Sequence, residues 1–426
     1  MKQFTFAQKW FKKIEALKPV FLKIAQKSGT PVYVFDPNEV RANIVSFKNA
    51  FKDAGVDANI FYAAKSNYYP PLLQTVVKSG EGIDVSSGRE LKLALKAKAK
   101  RIIYTGPAKS EKDFELILKN ISKITVNLES VRELKLFDSM CSKKRVRAKC
   151  GVRIFTQSQA GWTKFGIPLS ELRSFSDEAA KCGNINFCGI HFHISFNKDP
   201  ENYVNTIIEL ADYMKANFSG SENLRFEYVD IGGGFYPQSF EALYPWNPEQ
   251  HTYYPNEKEI LDKIISDSFQ PRYLPLKVDP IEKFAKEICR AFKDKILKIM
   301  PNAALYCEPG RYISHSSMHI LLRIMDIKRG KIGITDGGAN MIGWEKYQYC
   351  DYVPTFNLSQ FTQKREIPFM LYGSLCTPED IWSYYLYTAS DPKEGDIVLV
   401  PFQGAYTYTL AQEFIKEIPP VLDLKR

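Results

Sequence analysis

The chain has 426 residues, more than a single core usually organises, so two domains or one large barrel with an appendage are expected. Its 45% hydrophobic and 25% charged residues suit a soluble globular protein, and no run of ~18 apolar residues is present to span a membrane. The formal charge of +10 is spread along the chain without a basic block or a zinc-finger or RNA-binding signature, which favours solubility over nucleic-acid binding, with mild attraction of anionic ligands second.

The N-terminal stretch MKQFTFAQKWFKKIEALKPVFLKIAQKSG has lysines scattered through it and no uninterrupted apolar core. It reads as an amphipathic helical lead-in and not as a signal peptide. The strand PVYVFD, Pro31 to Asp36, follows, and residues 1–37 are expected to join a later β-rich domain. Between 38 and 311 a unit recurs. The runs IFYAA, GIDVSS, RIIYTG, KITVNLES, VRAKCGVRI, FCGIHFHI, FEYVDIGGG and ALYCEPGR are eight strand candidates, and helical patterns such as PPLLQTVVKSG, GRELKLALKAKAK and EKDFELILKNIS lie between several of them. Strand–helix alternation repeated eight times predicts an α/β fold, a (β/α)8 TIM-like barrel. Residues 236–275, rich in Tyr, Pro and Asn, lack periodicity and suggest an insertion loop over the barrel mouth. After Arg311 the texture changes: HILLRIMDIKRGKIGITDGG and EGDIVLVPFQGAYTYTL read as consecutive strands, so 312–426 is expected to form a C-terminal β-rich domain, a sandwich or barrel.

Cysteines stand at 141, 150, 182, 188, 289, 307, 350 and 376, with no CxxC pair, and are expected as reduced thiols of a cytoplasmic protein. Five histidines and no HExxH or His/Cys cluster argue against a catalytic metal.

Polar residues gather at the C-terminal ends of the eight strand candidates, the rim where barrels build active sites. They are Lys65, Asp84 with Ser86, Asn127 with Glu129, Arg153, His191 with His193, Gly232–Gly234, and Glu308 with Arg311. Each has a plain alternative. Lys65 ends the apolar run FYAA as a nucleophilic amine or as a strand reaching water. Glu308 would hold a ring N–H or form an ion pair inside the barrel. His193 would stack on a planar ring or serve as a hydrogen-bonded structural residue. Gly232, Gly233 and Gly234 would offer backbone N–H groups to an anion or make a sharp turn. Arg311 would bind phosphate or a surface carboxylate. Taken together, an imine-forming lysine, a ring-nitrogen carboxylate, a stacking imidazole and a Gly/Arg phosphate site describe pyridoxal 5'-phosphate (PLP).

The ordered motifs GTPVYVFD, FYAAKSN, GIDVSSGREL, KFGI, GIHFHI, VDIGGGF, EPGRY, TDGGAN, GSLC and GAYTYTL make the chain resemble, nearly end to end, the alanine-racemase-fold PLP decarboxylases of ornithine, diaminopimelate and arginine. The resemblance implies Lys65 as the Schiff-base lysine with Asp84 and Glu90 near it, His193 against the cofactor ring, and Glu308 at the ring nitrogen. It implies Gly232, Gly233, Gly234, Arg311 and Tyr406 at the phosphate, and Arg153 in the polar network around the lysine. Cys376 would come from the partner subunit of an obligate homodimer and protonate the carbon that loses CO2.

The departures concern substrate. Thr377 follows Cys376 where ornithine decarboxylases carry aspartate and diaminopimelate decarboxylases glutamate. No arginine follows TDGGAN; Trp344 lies near where one would be, and Phe196 stands in HISFN where the family has a serine near the phosphate. Thr377, Trp344 and Phe196 are therefore the candidate substrate-binding residues. They suit a larger or uncharged distal group, and the favoured substrate is a citrate–diamino-acid conjugate of siderophore assembly. The alternatives are diaminopimelate or another basic amino acid, then a homologue without catalysis, or a racemase. Against a racemase, Glu308 stands where alanine racemases place an arginine.

Overall fold

The structure is a computed structural model that describes residues 7–159, 163–218, 226–239, 242–243, 274–343, 351–362 and 365–425. The chain divides into two compact units. Residues 40–237 and 278–313 form one; residues 1–39, 238–277 and 314–426 form the other. Most of the 236–275 segment, expected to cover the barrel mouth, lies outside the described residues.

The first unit is a (β/α)8 barrel. Its strands in chain order are Asn59–Ala63, Gly82–Val85, Ile102–Thr105, Ile124–Leu128, Ala148–Phe155, Ile185–His191, Tyr228–Asp230 and Ala304–Cys307. Each pairs in parallel with the next, and the last returns to the first through Cys307 opposite Ile60, which closes the sheet. Strands covered on both sides read as near-continuous apolar runs, as in the fully buried Ile102–Thr105; the equally buried Gly82–Val85 is interrupted by one acid, Asp84.

Three successive connections share one starting device. Ser87, Ser110 and Ser130 are extended N-cap residues whose hydroxyls accept the backbone N–H three residues on, at Glu90, Asp113 and Glu133. At Ser110 the Asp113 carboxylate also accepts the Ser110 N–H, completing a capping box. The helices that follow bury one stripe only, Leu91 and Ala94 in the first case and Phe114, Ile117 and Leu118 in the second.

The second unit is built on an eight-stranded sheet. Met318–Lys328 pairs with both Ile332–Thr335 and Ile397–Val400, and it carries the strand Val32–Phe35 antiparallel to it, with Val32 opposite Leu321. Val421–Asp423 adds in parallel outside Val32–Phe35. The helix Ala7–Ser28 buries Phe11, Ile14, Leu17, Phe21 and Ala25, spaced three or four apart, in a core with Val32, Val34, Leu321 and Leu399. No helix among the described residues is long and apolar enough to cross a membrane.

Candidate active site

Register explains why the rim residues meet. In a parallel barrel the C-terminal strand ends share one rim, and pairing sets neighbouring strand ends side by side. Ala63 pairs with Asp84, and Arg153, His191, Asp230 and Tyr306 pair in turn around the far side. Lys65 sits two residues past the first barrel strand on a short 3-10 turn, Ala64–Ser66, and is half-buried. That turn is held locally: Ser66 Oγ donates to the Ala63 carbonyl at 2.9 Å, and the Tyr62 hydroxyl donates to the Asn67 carbonyl at 3.0 Å.

Glu308 lies at the centre of the buried polar cluster, with only 1% of its surface exposed. Its Oε1 is 3.4 Å from His191 Nε2, and its Oε2 is 3.6 Å from His193 Nδ1. The Glu308 N–H donates to the Gly232 carbonyl at 2.7 Å, which ties the last strand to the glycine turn. His193 Nδ1 accepts the Gly233 N–H at 3.0 Å, so the proton of a neutral ring belongs on Nε2, 3.3 Å from Ser195 Oγ. The Gly232 N–H donates to Asp230 Oδ1 at 2.9 Å. Two of the three glycine amides expected to meet an anion are therefore spent inside the protein, on Asp230 and His193. Close approach is what demands glycine here. A Cβ on Gly234, at φ +93°, would lie 1.8 Å from the Ile194 carbonyl oxygen.

The electrostatics sort these groups. Burial pushes the Glu308 carboxyl up, but the facing His191 imidazole outweighs it and holds the group well below its ordinary range. Burial and the charge on Glu308 push Asp84 and Asp230 well above theirs. Glu308 is thus the ionised member of a buried acid cluster. Burial, then the Lys65 ammonium, holds His193 down to about 3, so its ring is neutral. Burial raises Glu90, against the pull of Lys65, while Glu90 Oε2 accepts the Ser86 N–H at 2.7 Å. Arg153 reaches Glu129 Oε1 at 3.3 Å and lies 4.4 Å over the Phe165 ring.

Of the residues expected from the sequence, the barrel unit holds Lys65, Asp84, Glu90, Arg153, His193, Gly232–Gly234, Glu308 and Arg311, and also Phe196, which is 47% exposed. Cys376, Thr377 and Tyr406 belong to the other unit, and Trp344 lies outside the described residues. Sequence reasoning missed Asp230. Its signal was an acid ending a buried strand beside three glycines.

A phosphorylated pyridine aldehyde needs an amine for its aldehyde, an acceptor for its ring N–H and donors for its phosphate. Lys65 would be the amine and Arg311 a donor. Glu308 Oε1 has no hydrogen-bond partner among the described residues, which leaves a buried anionic acceptor to be satisfied. The residues present fit PLP.

Comparison with known proteins decides the family. The sequence model described as "Pyridoxal-dependent decarboxylase, pyridoxal binding domain" matches residues 38–315, well over half of the chain. The chain belongs to the pyridoxal-dependent decarboxylase family. It is a PLP-dependent carboxy-lyase acting on an amino acid. It is 26% identical over 410 residues to the diaminopimelate decarboxylase of Methanothermobacter thermautotrophicus, spanning 92% of this chain and 86% of that protein. The crystal structure of diaminopimelate decarboxylase from Helicobacter pylori complexed with L-lysine superposes with a TM-score of 0.75 at 23% identity, over 95% of this chain and 94% of that one. The lysine/ornithine decarboxylase of Vibrio vulnificus complexed with putrescine gives 0.73 at 20% identity, over 95% and 97%.

Proposed function

We propose that this decarboxylase acts on a free diamino acid, diaminopimelate first and lysine or ornithine next. The observation that carries this reading is the identity of the relatives that align with nearly the whole chain, named as diaminopimelate decarboxylases from archaea and bacteria. The citrate conjugate suggested by Thr377 and Phe196 finds no support in those relatives and becomes one arm of the test.

Bound PLP supplies the electron sink for the carbon that loses CO2. The protein's part is binding, orientation and proton placement. Lys65 would hold the cofactor through its amine and pass a proton at Nζ as the substrate amine takes its place. Glu308 would accept the ring N–H and, being ionised, keep that nitrogen protonated. His193, neutral, would lie against the ring without adding positive charge. Asp84 and Glu90 would lie near the Lys65 amine, and Arg153 would hold Glu129 in the surrounding network. Gly232, Gly233 and Gly234 would allow the phosphate close to the backbone, with Arg311 and Tyr406 as donors. Cys376, exposed in the single chain, would give its proton to the carbon after CO2 leaves, reaching the site of the partner subunit in a homodimer. Unpaired thiols at all the described cysteines support a cytoplasmic setting.

The test is CO2 release across meso-diaminopimelate, lysine, ornithine, arginine and a citryl–diamino-acid conjugate. Turnover of one of the first three is expected to exceed that of the conjugate by far. Robust turnover of the conjugate alone would overturn the substrate reading.

A further inference from the structure

Phe196 adopts φ +58°, the left-handed region that a bulky side chain rarely enters, and exposes 47% of its surface. Such a conformation persists only where its surroundings impose it. Here the next residue imposes it. The Asn197 N–H donates to the Gly234 carbonyl at 3.0 Å, and the Tyr236 N–H donates to the Asn197 carbonyl at 3.3 Å. Asn197 Nδ2 donates to the Ile194 carbonyl at 3.0 Å, and Asn202 Nδ2 donates to Asn197 Oδ1 at 3.2 Å. Asn197 is thus bridged to the strand-like residue Phe235, just past the glycines. The bridge sets the Phe196 ring beside the Tyr236 ring, with centroids 6.3 Å apart, and the Arg311 guanidinium lies 4.8 Å over the other aromatic partner, Tyr236.

Phe196, Tyr236 and Arg311 therefore form a short ladder next to Gly232–Gly234. A guanidinium stacked on a ring presents its face to the ring and keeps its N–H edge, in the plane, as the donor surface. This matters because the Gly232 and Gly233 amides are already committed to Asp230 and His193, which leaves more of the task of meeting an anion to side chains such as Arg311.

We propose that Tyr236, braced by Phe196, is a positioning residue that orients Arg311 toward the phosphate of PLP. The ladder does by ring and cation–π contact what a small hydroxyl residue at position 196 would do by direct hydrogen bonding. This rests on the PLP site described above.

The experiment is titration of the full-length apoprotein with PLP and, separately, with pyridoxal, which lacks the phosphate. Wild type, Tyr236→Leu and Tyr236→Phe are compared, followed by the visible absorption of the bound cofactor. Tyr236→Leu should weaken PLP binding about fivefold or more, the range of a partly desolvated cation–π contact. It should leave pyridoxal binding unchanged, and Tyr236→Phe, which keeps the ring face, should restore PLP binding to within about twofold of wild type. Unchanged PLP affinity in Tyr236→Leu would overturn the proposal. So would equal loss of PLP and pyridoxal, or failure of Tyr236→Phe to rescue. Wild-type protein that binds neither compound would instead overturn the PLP site itself.

Discussion

At the residue scale the decisive contrast is between acids that look alike in sequence. Glu308, Asp84 and Asp230 all stand at or beside the ends of buried barrel strands, yet burial with a neighbouring charge raises the last two while His191 holds Glu308 ionised. Glu308→Gln should therefore lower kcat about a hundredfold or more, through loss of a fixed charge at the developing charge, while retaining bound cofactor. Cofactor loss with no change in kcat of the reloaded enzyme would contradict that role. His319, in the other unit, offers a pH test away from chemistry. It is buried with neither ring nitrogen bonded among the described residues, and burial, then Lys13, holds it down to about 3. An unfolded histidine titrates near ~6.5, so below that pH the unfolded chain takes a proton that the folded one refuses. Stability should fall as pH drops from 7 to 5, by up to ~1.4 kcal/mol per unit from this group. His319→Leu should flatten the decline in melting temperature; parallel declines would refute it. Lys65 and Glu308 stand out in sequence because a charge closing an apolar run is visible without neighbours. Asp230 closes the run YVD in the same way and was passed over, while Tyr236 carries no local signal, because its meaning depends on partners that only folding supplies.

At the element scale, the eight barrel strands were legible because burial on both sides writes each as a compact apolar run. The sheet of the other unit was legible only as texture. Its order interleaves Val32–Phe35 with strands almost three hundred residues later, and nothing local encodes that pairing. The loop carrying Cys376 shows how such an element is fixed. Asp380, 1% exposed, accepts the Ala339 N–H at 2.5 Å through Oδ1 and the Leu375 N–H at 2.6 Å through Oδ2. Ser374 Oγ donates to the Asp336 carbonyl at 2.9 Å, and Trp382 Nε1 donates to that of Gly337 at 3.0 Å. One buried carboxylate thereby clamps the GSLC turn to TDGGAN. Asp380→Ala removes both acceptors and should lower stability by about 2–4 kcal/mol, two buried N–H groups being left without partners. Asp380→Asn, keeping one, should cost about half as much. Equal stability of all three proteins in urea unfolding would show that the clamp carries nothing.

At the scale of the whole molecule, the fold and reaction class follow from the family and the barrel, while the sharing of sites between subunits is our proposal. Lys65 and Cys376 belong to different units of the chain. If a homodimer builds each site from Lys65 of one subunit and Cys376 of the other, mixing Lys65→Ala with Cys376→Ala protein should restore about a quarter of the wild-type sites. No recovery after dissociation and remixing would count against the shared site. The central claim is tested most directly by CO2 release from meso-diaminopimelate, lysine and ornithine, with PLP added or withheld, in wild type and Lys65→Ala. The account predicts PLP-dependent release from at least one of them by wild type and none by Lys65→Ala. Undiminished release by Lys65→Ala, or PLP-loaded wild type that releases no CO2 from any of them, would contradict it.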